Sequence, residues 1–484
     1  MNLFAVLTVK NPNLILKKLI RDDFKYTHLW INGERASASS FMVKISDFNI
    51  AVGLQTDNEI INYLNNNIST ITPAVLYGEL RTDLTESSLS EISTSIRKCL
   101  ENYVYDDNYL RENLSVFFTK FIAVTTVNNK VKIIGDHLGH YPLTYYSTPD
   151  FKIYSNVKKN IWRIGASPLT ELDYYPKPVI PSSTIEKIAD AQSIIIRLEK
   201  LLTESILKRI PGNNRIGIMF SGGLDSLLLS KLIMKINESF NNEIILITAG
   251  LKDSKDIRNV RAARKLINLP VKEVLFNVED CARILPEILL TIERYDTLNV
   301  SLAIPEYFAF NEAKENGLKI IFTGQGADEI FYGYHKYTEA FRKGLLVREL
   351  SDQDIFSLSN RNLEREMKLA FKFNLEIKYP YLDPAVVSYV RSIPDAYKLK
   401  LVGNSLISKY VLRILGEKLG IPENIFAGKV AMQYGSGAMK ALKKISSNTL
   451  KDSMIQYKIT EFLKRLYLRV ISERGVIGKN TPVL

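Results

Sequence analysis

Two short stretches of this chain hold residue types able to grip a polyphosphate. The first is Ser221-Gly222-Gly223-Leu224-Asp225-Ser226. Its glycines lack Cβ, so the backbone can turn sharply and point successive N–H groups at an anion, while Ser221 and Ser226 add hydroxyls. Asp225 would repel a phosphate unless a divalent cation lay between them, and Mg²⁺ accepts carboxylate and phosphate oxygens together. The second stretch, TGQGADEIFYGY from Thr323 to Tyr334, supplies another carboxylate, Asp328, flanked by Gln325 and Glu329. Glu329 can take a proton and Gln325 can only orient a substrate. Taken singly, the first stretch is also a glycine turn and the second a capped helix start.

These stretches need a scaffold that brings them together. The apolar run before Ser221 reads as a central parallel strand, and the helix from Leu224 to about Phe240 places Leu229, Leu232, Ile233, Ile236 and Phe240 on one stripe. A long helix over Glu186–Ile210 precedes them and is stopped by Pro211, Gly212 and Asn213. Further strands are expected at Glu243–Ala249, Val271–Phe276 and Leu318–Thr323, with helices near Asp256–Ile267, Asp280–Glu293 and Ser301–Glu315. This alternation predicts a doubly wound parallel sheet with its ligand beyond the strands' carboxyl ends. The chain after Ser446 is charged and helical in pattern, most clearly over Thr460–Ile471.

The first part differs in texture. Short strands are expected at Leu3–Val9, His28–Ile31, Asn49–Leu54, Pro73–Leu80, Phe117–Val127, Lys130–Gly135, Tyr141–Ser147 and Phe151–Tyr154, with one helix over Ser87–Tyr103. Such a run suggests an α+β sandwich. Pro176, Pro178 and Pro181 mark a linker, so the expected domains are 1–181 and 185–484.

The SGGLDS stretch resembles the signature of the PP-loop ATPases, which bind ATP there and release pyrophosphate. TGQGADEIFYGY resembles the SGEGSDEVFGGY motif of the asparagine synthetases and β-lactam synthetases. Glu293–Asp296 (ERYD) is similar to their ETYD, LEIKYPYLD to their VEARVPFLD, and GKVAMQYGSG (Gly428–Gly437) to their lysine loop. The likeness runs from about Ile185 to Ile445. It implies ATP and Mg²⁺ as cofactors, with Ser221, Gly222, Gly223, Asp225 and Ser226 on pyrophosphate, Asp225 and Asp328 on the metal, and Thr323 and Gly324 beside the nucleotide. Lys429 would neutralise charge on the leaving pyrophosphate and the forming adenylate; a lone loop lysine is otherwise a solvated cation. Gln325 stands where the asparagine synthetases carry Glu, which leaves Glu329 or the product phosphate to take a proton from an attacking ammonium. The GQGADE and AMQYGSG spellings resemble an archaeal branch less securely tied to aspartate.

More weakly, GDHLGHYPLTYY (Gly135–Tyr146) resembles the RDPLGxxPLYY stretch of that family's glutaminase domains, and YGEL (Tyr77–Leu80) their NGEI. Those domains use an N-terminal cysteine as nucleophile, and Asn2 follows Met1 here. An amide cannot serve in that role. The oxyanion-hole asparagine is replaced by Tyr77, so a retired glutaminase kept for packing is expected. His137 and His140 read as turn residues, since no third metal ligand accompanies them. The expected fold is thus an Ntn-hydrolase-like α+β sandwich followed by a PP-loop synthetase domain of the adenine nucleotide α-hydrolase type with a helical C-terminal region. The implied reaction is amidation of an aspartate-like carboxylate with free ammonia or ammonia from elsewhere, without glutaminase activity of its own. An intramolecular amide ligase like β-lactam synthetase or the lasso peptide cyclases, and a non-catalytic scaffold, are the alternatives.

Composition narrows the field. Apolar residues make 46% of the 484 and charged ones 24%, as in soluble globular proteins. No apolar run approaches membrane-spanning length, so no membrane partner and a cytoplasmic location are expected. Cys99 and Cys281 have no metal-type spacing. The net charge of +12 is spread along the chain without an RNA-binding motif, which favours an anionic small molecule over nucleic acid. The expected partners are a small carboxylate with ammonia or an amine, and the sequence is compatible with a homodimer.

Overall fold

The structure, a computed structural model, describes residues 5–9, 29–31, 34–36, 40–45, 48–53, 74–80, 99, 106–116, 118–127, 130–147, 151–155, 158, 162, 167–169, 172–182, 190–423, 432–449 and 455–474. It divides into two compact units, residues 1–179 with 465–484, and residues 180–464.

The first unit is antiparallel throughout its described pairings. Its strands are β1 (Ala5–Val9), β2 (Leu29–Ile31), β3 (Glu34–Ala36), β4 (Ser40–Ile45), β5 (Phe48–Gly53), β6 (Ala74–Leu80), β7 (Phe118–Val127), β8 (Lys130–Gly135), β9 (Leu143–Ser147), β10 (Phe151–Ser155) and β11 (Asp173–Tyr175). They form a six-stranded sheet in the order β11-β9-β10-β1-β5-β4, a three-stranded sheet β6-β7-β8 and the pair β2-β3. Three of these strands, β3, β4 and β11, go beyond the sequence expectation. The last lies where the linker was expected and stops at Pro176, which has no N–H for a ladder. The helix expected over Ser87–Tyr103 falls, apart from Cys99, outside the described residues, as does Asn2.

A short helix α1 (Asp107–Ser115), capped by Asp106, packs on β7 and β8 through Leu110 and Leu114. After β8 the chain turns around buried Asp136, whose carboxylate accepts the backbone N–H groups of Phe121, Leu138 and His140. His140 Nδ1 lies 2.8 Å from the same carboxylate. Burial alone would raise Asp136, but His140 and the N–H donors hold it below the usual carboxylate range. His137 lies against the Val179 carbonyl and Glu112. Both histidines therefore tie down the turn.

The second unit is built on five parallel strands: β12 (Arg215–Met219), β13 (Glu243–Leu251), β14 (Val271–Phe276), β15 (Ile320–Phe322) and β16 (Glu376–Lys378). Helix α2 (Ala191–Leu207) precedes β12, and α3 (Leu224–Asn237) follows it. α2 begins at a reciprocal cap between Asp190 and Ser193, five residues after the expected start at Glu186. α3 ends before Phe240 because the Asn237 amide is spent on both backbone groups of Asn242. Next come α4 (Lys255–Ala263), α5 (Val278–Ile292), α6 (Thr297–Glu315), the single turn α7 (Ala327–Ile330) and α8 (Glu364–Phe373). The short β16 is unforeseen in sequence, hidden in the LEIKYPYLD stretch. Beyond it lie α9 (Pro384–Ser392), the hairpin β17 (Leu399–Val402) and β18 (Ser405–Ser408), α10 (Tyr410–Lys418), α11 (Ala438–Thr449) and α12 (Ile455–Glu473), whose residues from Arg465 onward belong to the first unit. No helix among the described residues is long and apolar enough to cross a membrane.

The strand order β14-β13-β12-β15-β16 positions the site. The chain winds outward from β12 to β14, then returns to place β15 on β12's other side. In a parallel sheet that reversal opens a crevice at the carboxyl ends of the two central strands. β12 runs into Ser221–Ser226, and β15 runs into Thr323–Glu329. Residues a hundred positions apart thereby become neighbours, with Ile218 paired to Phe322.

Candidate active site

The turn after β12 depends on its glycines. Gly222 has φ of +70°, and a Cβ there would lie 2.6 Å from the Asn259 carbonyl carbon. Ser221 and Ser226 hold the turn: the Ser221 N–H donates to Ser226 Oγ, which lies 3.2 Å from Ser221 Oγ, and Ser226 Oγ donates to the Gly223 carbonyl. Gly223 caps α3 without a side chain, so the helix start is left open to an anion. Asp225 sits in the first turn of α3, where the Tyr381 hydroxyl donates to its carbonyl at 3.0 Å.

The second stretch folds back on the first. Thr323 N–H donates to the Lys378 carbonyl, and the Gln325 N–H to Thr323 Oγ1. Gly324 passes so close that a Cβ would stand 3.3 Å from Asp225 Cβ. Gly326, at φ of +93°, starts α7, which carries Asp328 and Glu329. The two carboxylates of the sequence expectation, Asp225 and Asp328, meet around one cation. That cation is Lys409 Nζ, 2.6 and 2.5 Å from the Asp225 oxygens and 2.7 Å from Asp328 Oδ1.

Lys409 carries no sequence signal, being a lone lysine in SLISKY. It is buried at the junction of β18 and α10 with φ of +55°, a conformation uncommon for lysine. Gly333 makes room for it, because a Cβ there would lie 2.3 Å from Lys409 Cε and 1.9 Å from Asp328 Oδ1. The preceding Tyr332 is also left-handed, at φ of +61°, and buried. Its hydroxyl donates to Asp395, and Lys398 Nζ lies 4.3 Å from its ring centroid. Burial pulls the Lys398 ammonium down to about 8, partly offset by Asp395. The tyrosines of the second stretch thus brace the loop that carries Asp328.

Of the other expected residues, Gln325 is half-buried beside Thr323, and Glu329 is buried with Oε1 accepting the Tyr334 hydroxyl at 2.7 Å. The carboxylates of Glu329 and Asp328, together with burial, push the Tyr334 hydroxyl far above its ordinary value, burial being the larger cause. Lys429 lies outside the described residues.

A divalent cation held by Asp225 and Asp328 would take the place of the Lys409 ammonium. An ammonium already stands there, and the donors are the hard oxygens that Mg²⁺ takes.

Two family landmarks turn out to be structural. In ERYD, Glu293 ends α5 in the left-handed conformation and pairs with Lys368 at 2.8 Å, Arg294 pairs with Glu364, and Asp296 caps α6. In PYLD, Asp383 caps α9 and pairs with Arg209 at 2.8 Å and Lys208 at 3.2 Å. Burial opposes the charge on Asp383, yet Arg209 and Lys208 hold it below the ordinary range.

At the carboxyl end of β13, Met432–Gly437 docks on the chain: Leu251 N–H donates to the Ser436 carbonyl, and a Cβ on Gly435 would stand 2.2 Å from Asp256 Oδ1. Burial in this packing raises Asp256 to about 7, with Lys255 opposing. A carboxyl raised on folding binds its proton more tightly in the native state, so its contribution is greatest below the unfolded value and is lost as pH rises toward 7. Asp256→Asn is therefore expected to gain stability over the parent progressively from pH 4 to 7 and by a constant amount above it, on the order of 4 kcal/mol. Melting curves at pH 5, 6, 7 and 8 check this, and a gain independent of pH would contradict it.

The family model described as asparagine synthase matches residues 197–370 and 343–475, together more than half of the chain. A provisionally named glutamine-hydrolysing asparagine synthetase of Methanocaldococcus jannaschii is 28% identical over 404 residues, covering 71% of this chain and 73% of its own length. Asparagine synthetase 1 of Lotus japonicus is 25% identical over 57% of this chain. The chain spans only about half of that plant relative, 49%. Among solved structures, the NMN synthetase of Francisella tularensis aligns over 61% of this chain and 100% of its own, with 12% identity and a TM-score of 0.28, too slight a likeness to argue from. On the family match, the chain belongs to the asparagine synthase family and is an ATP-dependent ligase of that family's kind.

Proposed function

We propose that this protein makes an amide from an aspartate-like carboxylate and ammonia, activating the acid as its adenylate and releasing pyrophosphate. The observation that carries this reading is the single ammonium shared by Asp225 and Asp328 at the end of two adjacent parallel strands. Such a pair next to a glycine turn is suited to a metal-bound triphosphate.

In this reading the Ser221–Ser226 turn and the start of α3 hold the β- and γ-phosphates, and Thr323 and Gly324 border the nucleotide. Asp225 and Asp328 hold Mg²⁺, which when bound neutralises charge on the departing pyrophosphate. A substrate carboxylate oxygen attacks the α-phosphorus as the α–β bridging bond breaks; ammonia then attacks the acyl carbon and AMP leaves. Lys429 supplies a further positive charge during the first step. Gln325 orients the acid or the ammonia and cannot accept a proton. Glu329, whose Oε1 accepts the Tyr334 hydroxyl, or a product phosphate takes the proton of the attacking ammonium.

In this reading the N-terminal unit is a glutaminase relative without activity of its own, with Tyr77 standing where the oxyanion-hole asparagine is expected. Ammonia then comes from solution or from another protein. A second reading, closure of an amide within one substrate, is favoured by one observation, the neutral Gln325 in the place of a glutamate.

A pyrophosphate-release screen across amino acids, with and without ammonium, separates the two. Release that needs both an acidic amino acid and ammonium supports the first. Turnover of an amine-bearing acid without ammonium supports the second, and release with neither contradicts both.

A further inference from the structure

We propose that Lys409 is a tethered competitor for the divalent cation, so that the two-carboxylate site takes metal and polyphosphate together and takes free metal poorly. The proposal rests on the reading of Asp225 and Asp328 as metal ligands. Its observation is the placement of Nζ, within 2.5–2.7 Å of oxygens from both carboxylates in a side chain only 4% exposed. Two cations cannot share that volume, since a bound Mg²⁺ sits about 2.1 Å from its oxygens.

The position of the ammonium is built in. The left-handed backbone of Lys409 aims the stem inward from the start of α10, and the missing Cβ of Gly333 leaves the channel through which it reaches Asp328. When a divalent ion enters alone, Lys409 loses both carboxylate partners and stays beside a dication in a poorly solvated place, an unfavourable arrangement. When the ion arrives with a triphosphate, the displaced ammonium gains a phosphate oxygen instead. Metal and nucleotide therefore strengthen each other's binding, by the same factor in each direction. Without Lys409 the facing carboxylates repel each other and hold a free divalent ion more tightly.

The test is a Mn²⁺ titration followed by electron paramagnetic resonance on the full chain, with and without α,β-methylene-ATP, for the parent, Lys409→Met and Lys409→Gln. Melting curves establish which variants are folded. For the parent, Mn²⁺ alone is expected to bind at least 100-fold more weakly than in the presence of the analogue, after correction for the Mn²⁺–analogue complex. For either folded variant, Mn²⁺ alone is expected to bind at least tenfold more tightly than to the parent, while the analogue binds more weakly.

Equal or weaker binding of free Mn²⁺ by the folded variants overturns the role of Lys409 and leaves the metal assignment standing. Parent affinity that is the same with and without the analogue overturns it also, even if neither variant folds. Absence of Mn²⁺ binding to the parent under both conditions removes the metal site itself, and the proposal with it.

Discussion

Asp225→Asn is expected to lose on the order of 10³-fold in pyrophosphate release while keeping its melting temperature within a few degrees. An amide oxygen is a far weaker ligand for a hard dication than a carboxylate, and charge lost next to a departing pyrophosphate acts directly on the transition state. The fold has little reason to respond. Asp225 is partly exposed, its backbone carbonyl keeps the Tyr381 hydroxyl, and Lys409 keeps Asp328. Steady-state pyrophosphate assays at saturating magnesium, with circular dichroism as the control, measure both. Undiminished turnover in Asp225→Asn would refute the metal assignment.

Arg365→Met is the substitution with the largest expected cost in stability, about 3–5 kcal/mol. Arg365 is 1% exposed and donates to Glu306 through Nε and one terminal nitrogen, each at 2.8 Å, and to Asn299 at 3.0 Å. Glu366 lies 3.5 Å from the same guanidinium. Burial, with the charge of Glu306, pushes Glu366 well above the usual carboxylate range, and the two short bonds of the guanidinium go to Glu306. Removing Arg365 strands the Glu306 carboxylate in the core between α6 and α8. The melting temperature is expected to fall by roughly 10 °C. Arg365→Met with Glu306→Leu should recover most of it, because a buried pair replaced by apolar groups costs little. A single variant melting within a degree of the parent would contradict the account.

The sequence made the two ligand loops legible because their residue types are chemically restrictive. Few arrangements need Ser-Gly-Gly-x-Asp-Ser after an apolar strand, and the strand-helix alternation announced the parallel sheet. Legibility failed where chemistry is carried by a residue with no local pattern. Lys409 is one of many lysines, and only the hairpin β17–β18 and Gly333 bring it to the carboxylates. β16 escaped notice because three residues are too few to show a period. ERYD and PYLD stood out by resemblance, yet their acids cap helices and fill buried ion pairs. Glu329 is similar: its type suited proton transfer, and only its bond to Tyr334 revealed how it is engaged.

The most direct test of the central claim is the identity of the nucleotide product. With ammonium, magnesium and each acidic amino acid in turn, ATP should be converted to AMP and pyrophosphate in equal amounts, resolved by ion-exchange chromatography. Conversion to ADP and phosphate, or an enzyme that leaves ATP intact with every acid while failing to bind it, would contradict a triphosphate lying across Gly222 and Gly223 with its metal between Asp225 and Asp328.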